Sequence, residues 1–236
     1  MILGKKIICL IPARGGSKGI KLKNLKKIKG KSLLELAARF AKNCNFIDSV
    51  VVNSDNKKIL DLSNKMGLKT IKREKKLISD RISDYQIISS SVMNLSKLGL
   101  KYDYLIYLQP TSPFRVKNDL LKSLKKIILN KSDSIWSVTK VIDKYHPYKI
   151  LEINKDSFLK LHNDKGKKII ARQQLKNVYI RNGIFYIFQI KSLLRYKSIY
   201  LPKTLKYEID YDYVNIDTYE DLKKARKLYN KTLKFF

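Results

Sequence analysis

Short continuous apolar runs alternate along this chain with segments whose apolar residues recur at helical spacing. Ile7–Ile11 (IICLI) suits a strand buried on both faces. Ser32–Cys44 follows as a helical pattern, with Ser32 at the N-cap and Glu35 three residues on, the spacing of a capping box. Ser49–Asn53 reads as a second strand, Asn56–Met66 as a helix ended by Gly67, and Leu68–Ile71 as a third strand. Ile82–Leu98 is helical, Tyr104–Leu108 is a strand, Asp119–Leu129 a helix and Ser134–Val138 a strand. This rhythm predicts an α/β fold: a mostly parallel sheet with helices on both faces. Ligands of such sheets sit beyond the carboxyl ends of the strands, so the loops after Ile11, Asn53 and Leu108 become the candidate site.

The rhythm breaks from about 141 to 179, a polar, Lys-rich stretch in which Leu151–Ile153 and Phe158–Leu161 could pair as a hairpin. It reads as an insertion into one domain spanning 1–236. Gly183–Phe188 resumes a strand, and Thr218–Tyr229 is an amphipathic helix with Thr218 at its N-cap and Asp221 at the third helical position. The segment before that helix is taken as extended, which would put Asn215 and Asp217 side by side on one face.

The chain carries 51 Lys and Arg against 20 Asp and Glu, a formal charge of +31. That tempts a nucleic-acid reading. Yet 42 of the 51 cations are Lys, and Ile, Asn and Tyr are abundant while Arg, Gly, Ala and Pro are scarce. Codons rich in A and T explain that bias without a polyanionic partner, and a basic surface attracts phosphates and acidic sugars as readily as nucleic acid. No nucleic-acid partner is expected; a basic nucleic-acid-binding module is the alternative from another class. The apolar runs fall short of the roughly 18 residues of a membrane span, so no membrane partner is expected either. No secretory leader is read at the N-terminus, and two cysteines, Cys9 and Cys44, make no disulfide scaffold, so the expected location is cytoplasmic.

Four constellations stand out, three of them in the candidate loops. Pro12 to Asn24 (PARGGSKGIKLKN) holds three glycines within five residues, which let backbone approach a ligand and present amides to an anion, while Arg14, Lys18 and Lys23 add charge. It is neither a Walker A loop nor a Gly-x-Gly-x-x-Gly turn. Gln109 to Arg115 (QPTSPFR) is a turn stiffened by two prolines; it either projects Gln109 into the crevice or is an ordinary proline turn. Asn215-Ile216-Asp217 offers a carboxylate for Mg2+, or a helix-capping acid. Asn53-Ser54-Asp55 suits either ligand contact or the N-cap of the next helix. Two scattered histidines make no metal site and no nucleophilic triad.

Read together and in order, IPARGGSKGIKLKNL, LQPTSPFR, HPYK, RQQL, RNGIFYI and VNIDTYEDL resemble the N-acylneuraminate cytidylyltransferase family, over about Ile7 to Lys227. The resemblance implies a nucleotidyltransferase-type (Rossmann-like) fold that is usually dimeric through the insertion. It also implies CTP and an acid sugar as substrates, Mg2+ (or Mn2+) as cofactor, and attack of the sugar's anomeric 2-hydroxyl on the α-phosphorus with loss of pyrophosphate. By resemblance, Arg14, Lys18 and Lys23 would be catalytic, and Ala13, Arg14, Gly15, Gly16, Ser17, Lys23, Asn24, Arg73, Asp80 and Ser83 would bind nucleotide. Gln109, Thr111, Ser112, Arg172, Gln173, Arg181 and Asn182 would bind the sugar, and Asp217 and Asn215 the metal. The sugar would be a sialic, legionaminic or pseudaminic acid, with 3-deoxy-manno-octulosonate as the alternative. Three positions depart from the family pattern. Asn215 stands where relatives have Asp, Ile180 where users of sialic acid have Arg, and Lys21 where many have Pro.

Overall fold

A computed structural model describes residues 1–79 and 81–231. The strands are β1 (Ile7–Pro12), β2 (Lys27–Ile28), β3 (Lys31–Ser32), β4 (Ser49–Ser54), β5 (Lys69–Lys72), β6 (Tyr104–Tyr107), β7 (Ser134–Lys140), β8 (Leu151–Ile153), β9 (Leu159–Leu161), β10 (Tyr179–Gln189) and β11 (Thr204–Glu208). The helices are α1 (Leu33–Lys42), α2 (Lys57–Lys65), α3 (Asp84–Lys97), α4 (Lys117–Leu129), α5 (Ile190–Tyr196) and α6 (Tyr219–Lys231). The main sheet has the order β11-β7-β10-β6-β1-β4-β5. Strand β1 pairs in parallel with β4 and β6, and β4 with β5, while β10 runs antiparallel to β6 with Ile187 opposite Ile106. The parallel core is as the alternation predicts; β11, α5 and the antiparallel direction of β10 are not foreseen.

Helix starts follow local chemistry. Ser32 Oγ accepts from Glu35 N at 3.2 Å while Glu35 Oε2 accepts from Ser32 N at 2.7 Å, the predicted capping box. Asn56 caps α2 through Ile59 N, and Thr218 caps α6 in a reciprocal pair with Asp221. Ser83 caps α3 in a second box with Gln86. The segment Asn215–Asp217, expected to be extended, lies outside regular structure.

The chain divides into two compact units. The larger contains Met1–Ser137, Asn182–Tyr207 and the chain from Tyr211 on; the smaller contains Val138–Arg181 with Glu208–Asp210. In the larger unit the strand alternation sorts side chains by face. Ile8 and Leu10 of β1, Val51 of β4 and Leu105 and Tyr107 of β6 pack with Ile88 and Leu95 of α3. A second cluster joins Ile20, Leu33, Leu36, Phe114, Ile216, Leu222 and Tyr229, all buried. Each such side chain contributes about 1.5–3 kcal/mol on burial. This cluster locks α6 to the loops after β1 and β6, with the Phe114 and Tyr229 rings edge to face at 6.0 Å.

The smaller unit holds the β8–β9 hairpin at the predicted place, Leu151 opposite Leu161. Its buried His146 accepts from Tyr148 N at Nδ1 (3.2 Å) and contacts Lys176 O through Nε2 (3.1 Å), the work of a structural histidine. Ile153, Phe158, Leu159 and Ile170 of this unit are exposed.

Candidate active site

A cavity of about 330 Å3 opens beyond the carboxyl ends of β1 and β6, where the alternation of strands and helices placed it. Arg14, Ser17, Lys23, Asn24 and Arg73 line it together with Gln109, Pro110 and Thr111. Ser79, Ile82, Asp84, Ile87, Leu77 and Tyr107 complete the wall.

The Gly-rich loop is built differently from an open anion nest. Gly15 N–H donates to Asp55 Oδ1 at 2.9 Å and is committed within the protein. A Cβ on Gly15 would lie 2.7 Å from Asn56 Cβ, and one on Gly19 would lie 2.3 Å from the Asp217 carbonyl oxygen. These glycines let the loop touch α2 and the segment before α6. Buried Asn24 turns its amide inward, Nδ2 donating to Arg14 O at 2.9 Å. Ala13 is fully buried and its N–H donates to Asn53 O at 3.0 Å. Gly16 has open space where a Cβ would lie, and Lys18 is exposed and does not line this cavity but a second pocket with Ser17 and Ser79.

Arg73 is buried, and its Nε donates to Asn53 Oδ1 at 2.7 Å. Asn53 Nδ2 donates in turn to Ser91 Oγ at 2.9 Å, so both ends of the Asn53 amide serve to hold the guanidinium. Burial pushes the Arg73 pKa down, partly opposed by Tyr107, Asp55 and Asp84. Tyr107 OH donates to Asp84 Oδ1 at 2.8 Å, and burial, reinforced by Asp84, drives that hydroxyl well above its usual range. Asn53 therefore acts through Arg73 and does not itself line the cavity. Tyr107, Asp84 and Ser91 escaped sequence reasoning. The only signal was a tyrosine in the otherwise aliphatic run Leu105–Leu108.

The second loop is pinned from behind. Arg115, 1% exposed, donates Nε to Ile184 O at 2.9 Å and Nη2 to Gln109 O. Burial pushes its pKa down to about 10, so it remains a cation at neutral pH. Ser112 is buried and its Oγ donates to Asn215 Oδ1 at 2.8 Å, while Ile216 N–H donates to Thr111 O at 2.9 Å. Asp217 Oδ1 meets Lys23 Nζ at 2.7 Å, the carboxylate side chain 77% exposed and the lysine 14%.

Other sequence-predicted residues fall elsewhere. Ser83 spends its hydroxyl capping α3. Asn182 is fully buried in β10, its Oδ1 accepting from Ser137 Oγ at 2.6 Å and Ile184 N at 3.3 Å, so its amide serves the sheet. Arg172, Gln173 and Arg181 belong to the smaller unit, where Arg172 pairs with Asp143. Asp80 lies outside the described residues. Among the described residues no group of three or more His, Cys, Asp or Glu could hold a metal ion, and no helix is long and apolar enough to cross a membrane.

The arrangement is a cation-lined cleft with amide and hydroxyl groups at one end and a single exposed carboxylate at the edge. It can hold a polyphosphate beside a hydroxylated acid. Comparison with known proteins agrees in kind. The family model described as cytidylyltransferase matches residues 8–236. The pseudaminic acid cytidylyltransferase of Campylobacter jejuni is 30% identical over 226 residues, 95% of this chain and 96% of that one. The N-acylneuraminate cytidylyltransferase of Streptococcus agalactiae is 25% identical over 92% of this chain and 51% of that one. A CMP:2-keto-3-deoxy-manno-octonic acid synthetase complexed with CTP superposes with a TM-score of 0.73 at 18% identity, covering 96% of this chain and 99% of that one. A 4-diphosphocytidyl-2C-methyl-D-erythritol synthase from Anaerococcus prevotii superposes with a TM-score of 0.65 at 17% identity, over 96% and 99%.

Proposed function

The chain belongs to the cytidylyltransferase family, and on that footing we propose that it transfers CMP from CTP to a nine-carbon 2-keto-3-deoxy acid sugar for surface-glycan biosynthesis, with pseudaminic acid as the first candidate. The sugar's anomeric 2-hydroxyl oxygen bonds to the α-phosphorus, the bond from that phosphorus to the β-phosphate bridging oxygen breaks, and pyrophosphate leaves. The hydroxyl proton passes to solvent. The observation that carries the reading is the cavity that gathers Arg14, Lys23 and Asn24 with Gln109 and Thr111. Pseudaminic acid comes first because the 30%-identical relative, matched over 96% of its length, is a pseudaminic acid cytidylyltransferase.

Phosphoryl transfer asks the protein for positioning and charge neutralisation more than for covalent chemistry. Arg14 and Lys23 supply charge against the phosphates, and Arg73, held by Asn53, supports the nucleotide side. No histidine base is needed.

Mg2+, or Mn2+, is part of the proposal. Asp217 fits one such ion: its carboxylate is largely exposed, and Mg2+ takes one or two carboxylates together with phosphate oxygens and waters. Asn215 adds no charge, and its oxygen is engaged by Ser112, so a second ion has no matching donor set at this segment. When bound, the ion would offset phosphate charge and polarise a phosphoryl oxygen. A homodimer joined through the smaller unit also belongs to the reading, supported by the exposed Ile153, Phe158, Leu159 and Ile170. A cytoplasmic location is supported by two buried cysteines that remain free.

Pyrophosphate release tests the function. It should require CTP, Mg2+ and an acid sugar together, and no release with any nonulosonic acid or with octulosonate would refute it. Light scattering of Phe158→Glu tests the dimer: a monomer is expected, and an unchanged mass would place the interface elsewhere.

A further inference from the structure

Asn215 and Asp217 stand two residues apart, where the resemblance pairs them on a metal, yet their side chains turn to different loops. Asp217 Oδ1 meets Lys23 Nζ, on the loop after β1. Asn215 Oδ1 accepts from Ser112 Oγ at 2.8 Å, on the loop after β6. Ile216 between them is fully buried and tied to Thr111 O, which fixes the segment in this divided arrangement.

With Oδ1 on the serine hydroxyl, the Nδ2 donors of the exposed Asn215 amide meet no protein partner among the described residues. The Gln109 side-chain amide is likewise without a protein partner among them, and it lines the cavity. Gly183 brings these ends together. A Cβ there would stand 2.8 Å from Ser112 Oγ, 3.0 Å from Gln109 Oε1 and 3.6 Å from Asn215 Oδ1. Beneath the turn lies buried Arg115, which donates to two backbone carbonyls and, among the described residues, has no carboxylate partner and leaves Nη1 without a hydrogen bond. A buried cation without a counter-ion raises the potential above it. Neutral amide donors over such a potential suit a carboxylate, and a second carboxylate at position 215 would oppose one.

We propose that Asn215, oriented by Ser112, is a specificity-determining donor to the carboxylate of the acid sugar and not a metal ligand. The assignment rests on the proposed function, which supplies the acid sugar. It gives the departure from the family's paired carboxylates a purpose: one negative charge is removed from the place where an anionic substrate must sit.

The test measures KM for pseudaminic acid, KM for CTP and Mn2+ binding to the CTP-loaded protein by electron paramagnetic resonance, in the unaltered chain and in Asn215→Ala, Asn215→Asp and Ser112→Ala. Loss of a hydrogen bond to a charged group should raise the sugar KM roughly tenfold or more in Asn215→Ala. Asn215→Asp should raise it further, by like-charge repulsion that added salt weakens. Ser112→Ala should fall between the unaltered chain and Asn215→Ala. CTP KM and Mn2+ affinity should stay within about twofold of the unaltered values. An unchanged sugar KM in both Asn215 variants, or clearly tighter Mn2+ binding in Asn215→Asp, would overturn the assignment and leave the reaction standing. No CTP consumption by the unaltered chain with any acid sugar would overturn both. Asn215 is exposed, so its variants are expected to fold, and matched melting curves verify that.

Discussion

Lys23 and Asp217, 194 residues apart in sequence, meet at 2.7 Å and close the edge of the cleft. The pair joins the Gly-rich loop to the segment before α6. Gly19 reinforces the junction, because its missing side chain lets the loop lie against the Asp217 carbonyl. In the proposed reaction Lys23 would serve the phosphates and Asp217 the metal, and the two groups face each other at this junction.

Lys23→Ala and Asp217→Ala should each lower kcat, by roughly 10²–10³-fold for loss of one group that stabilises transition-state charge. Stability should change little, since an exposed ion pair contributes about 0–1 kcal/mol. Steady-state kinetics and urea denaturation check both. Near-normal kcat in Asp217→Ala would remove Asp217 from the metal role.

Gly183→Ala should destabilise the protein. Gly183 has φ +71, a left-handed conformation that costs an L-residue about 1–2 kcal/mol, and the new methyl would also crowd Ser112 Oγ at 2.8 Å. The sugar KM should rise with it, because the crowded atoms belong to the turn bearing Gln109. A lower denaturation midpoint with an unchanged sugar KM would separate the turn from the sugar site.

Asn53→Leu should raise the CTP KM more than it lowers kcat. It removes the acceptor that orients Arg73 and leaves the buried guanidinium Nε without its 2.7 Å partner. The sugar KM should stay near its unaltered value. Equal effects on both substrates would point to general loss of structure.

The capping carboxylate of α1 should tie stability to pH. Burial would raise the pKa of Glu35, but hydrogen bonds from Ser32 outweigh it, with Arg39 and Lys27 assisting, and the net shift is downward from 4.5. A folded-state pKa below the unfolded one stabilises fully above about pH 4.5 and loses that stabilisation as pH falls through the folded value. Glu35→Gln keeps a capping side chain without the titrating group. Its urea midpoint should therefore vary less between pH 5 and pH 3 than that of the unaltered chain.

Much of this was legible in the residues. The buried run Ile7–Ile11, the caps at Ser32 and Thr218 and the loops beyond β1 and β6 all stand where periodicity and capping chemistry put them. What sequence could not give was tertiary. The Gly15 amide looked available to an anion, but Asp55 takes it, 40 residues on. Asn182 looked like a site residue by its motif, and burial in β10 spends it on Ser137. Alternation assumes a strand before α6, but buried Ile216 anchors irregular chain to Thr111, and Asn215 and Asp217 meet different loops. The +31 charge narrows in the same way. Arg14, Lys23 and Arg73 are the cations that line the cavity.

The central claim is CMP transfer to an acid sugar, and mass spectrometry of the product tests it most directly. Incubation with CTP, Mg2+ and pseudaminic acid should yield the CMP-linked sugar in amounts equal to the pyrophosphate released, and omitting any one of the three should abolish it. CTP consumption without a CMP-linked sugar, or no consumption with pseudaminic, legionaminic or sialic acid or octulosonate, would contradict the account.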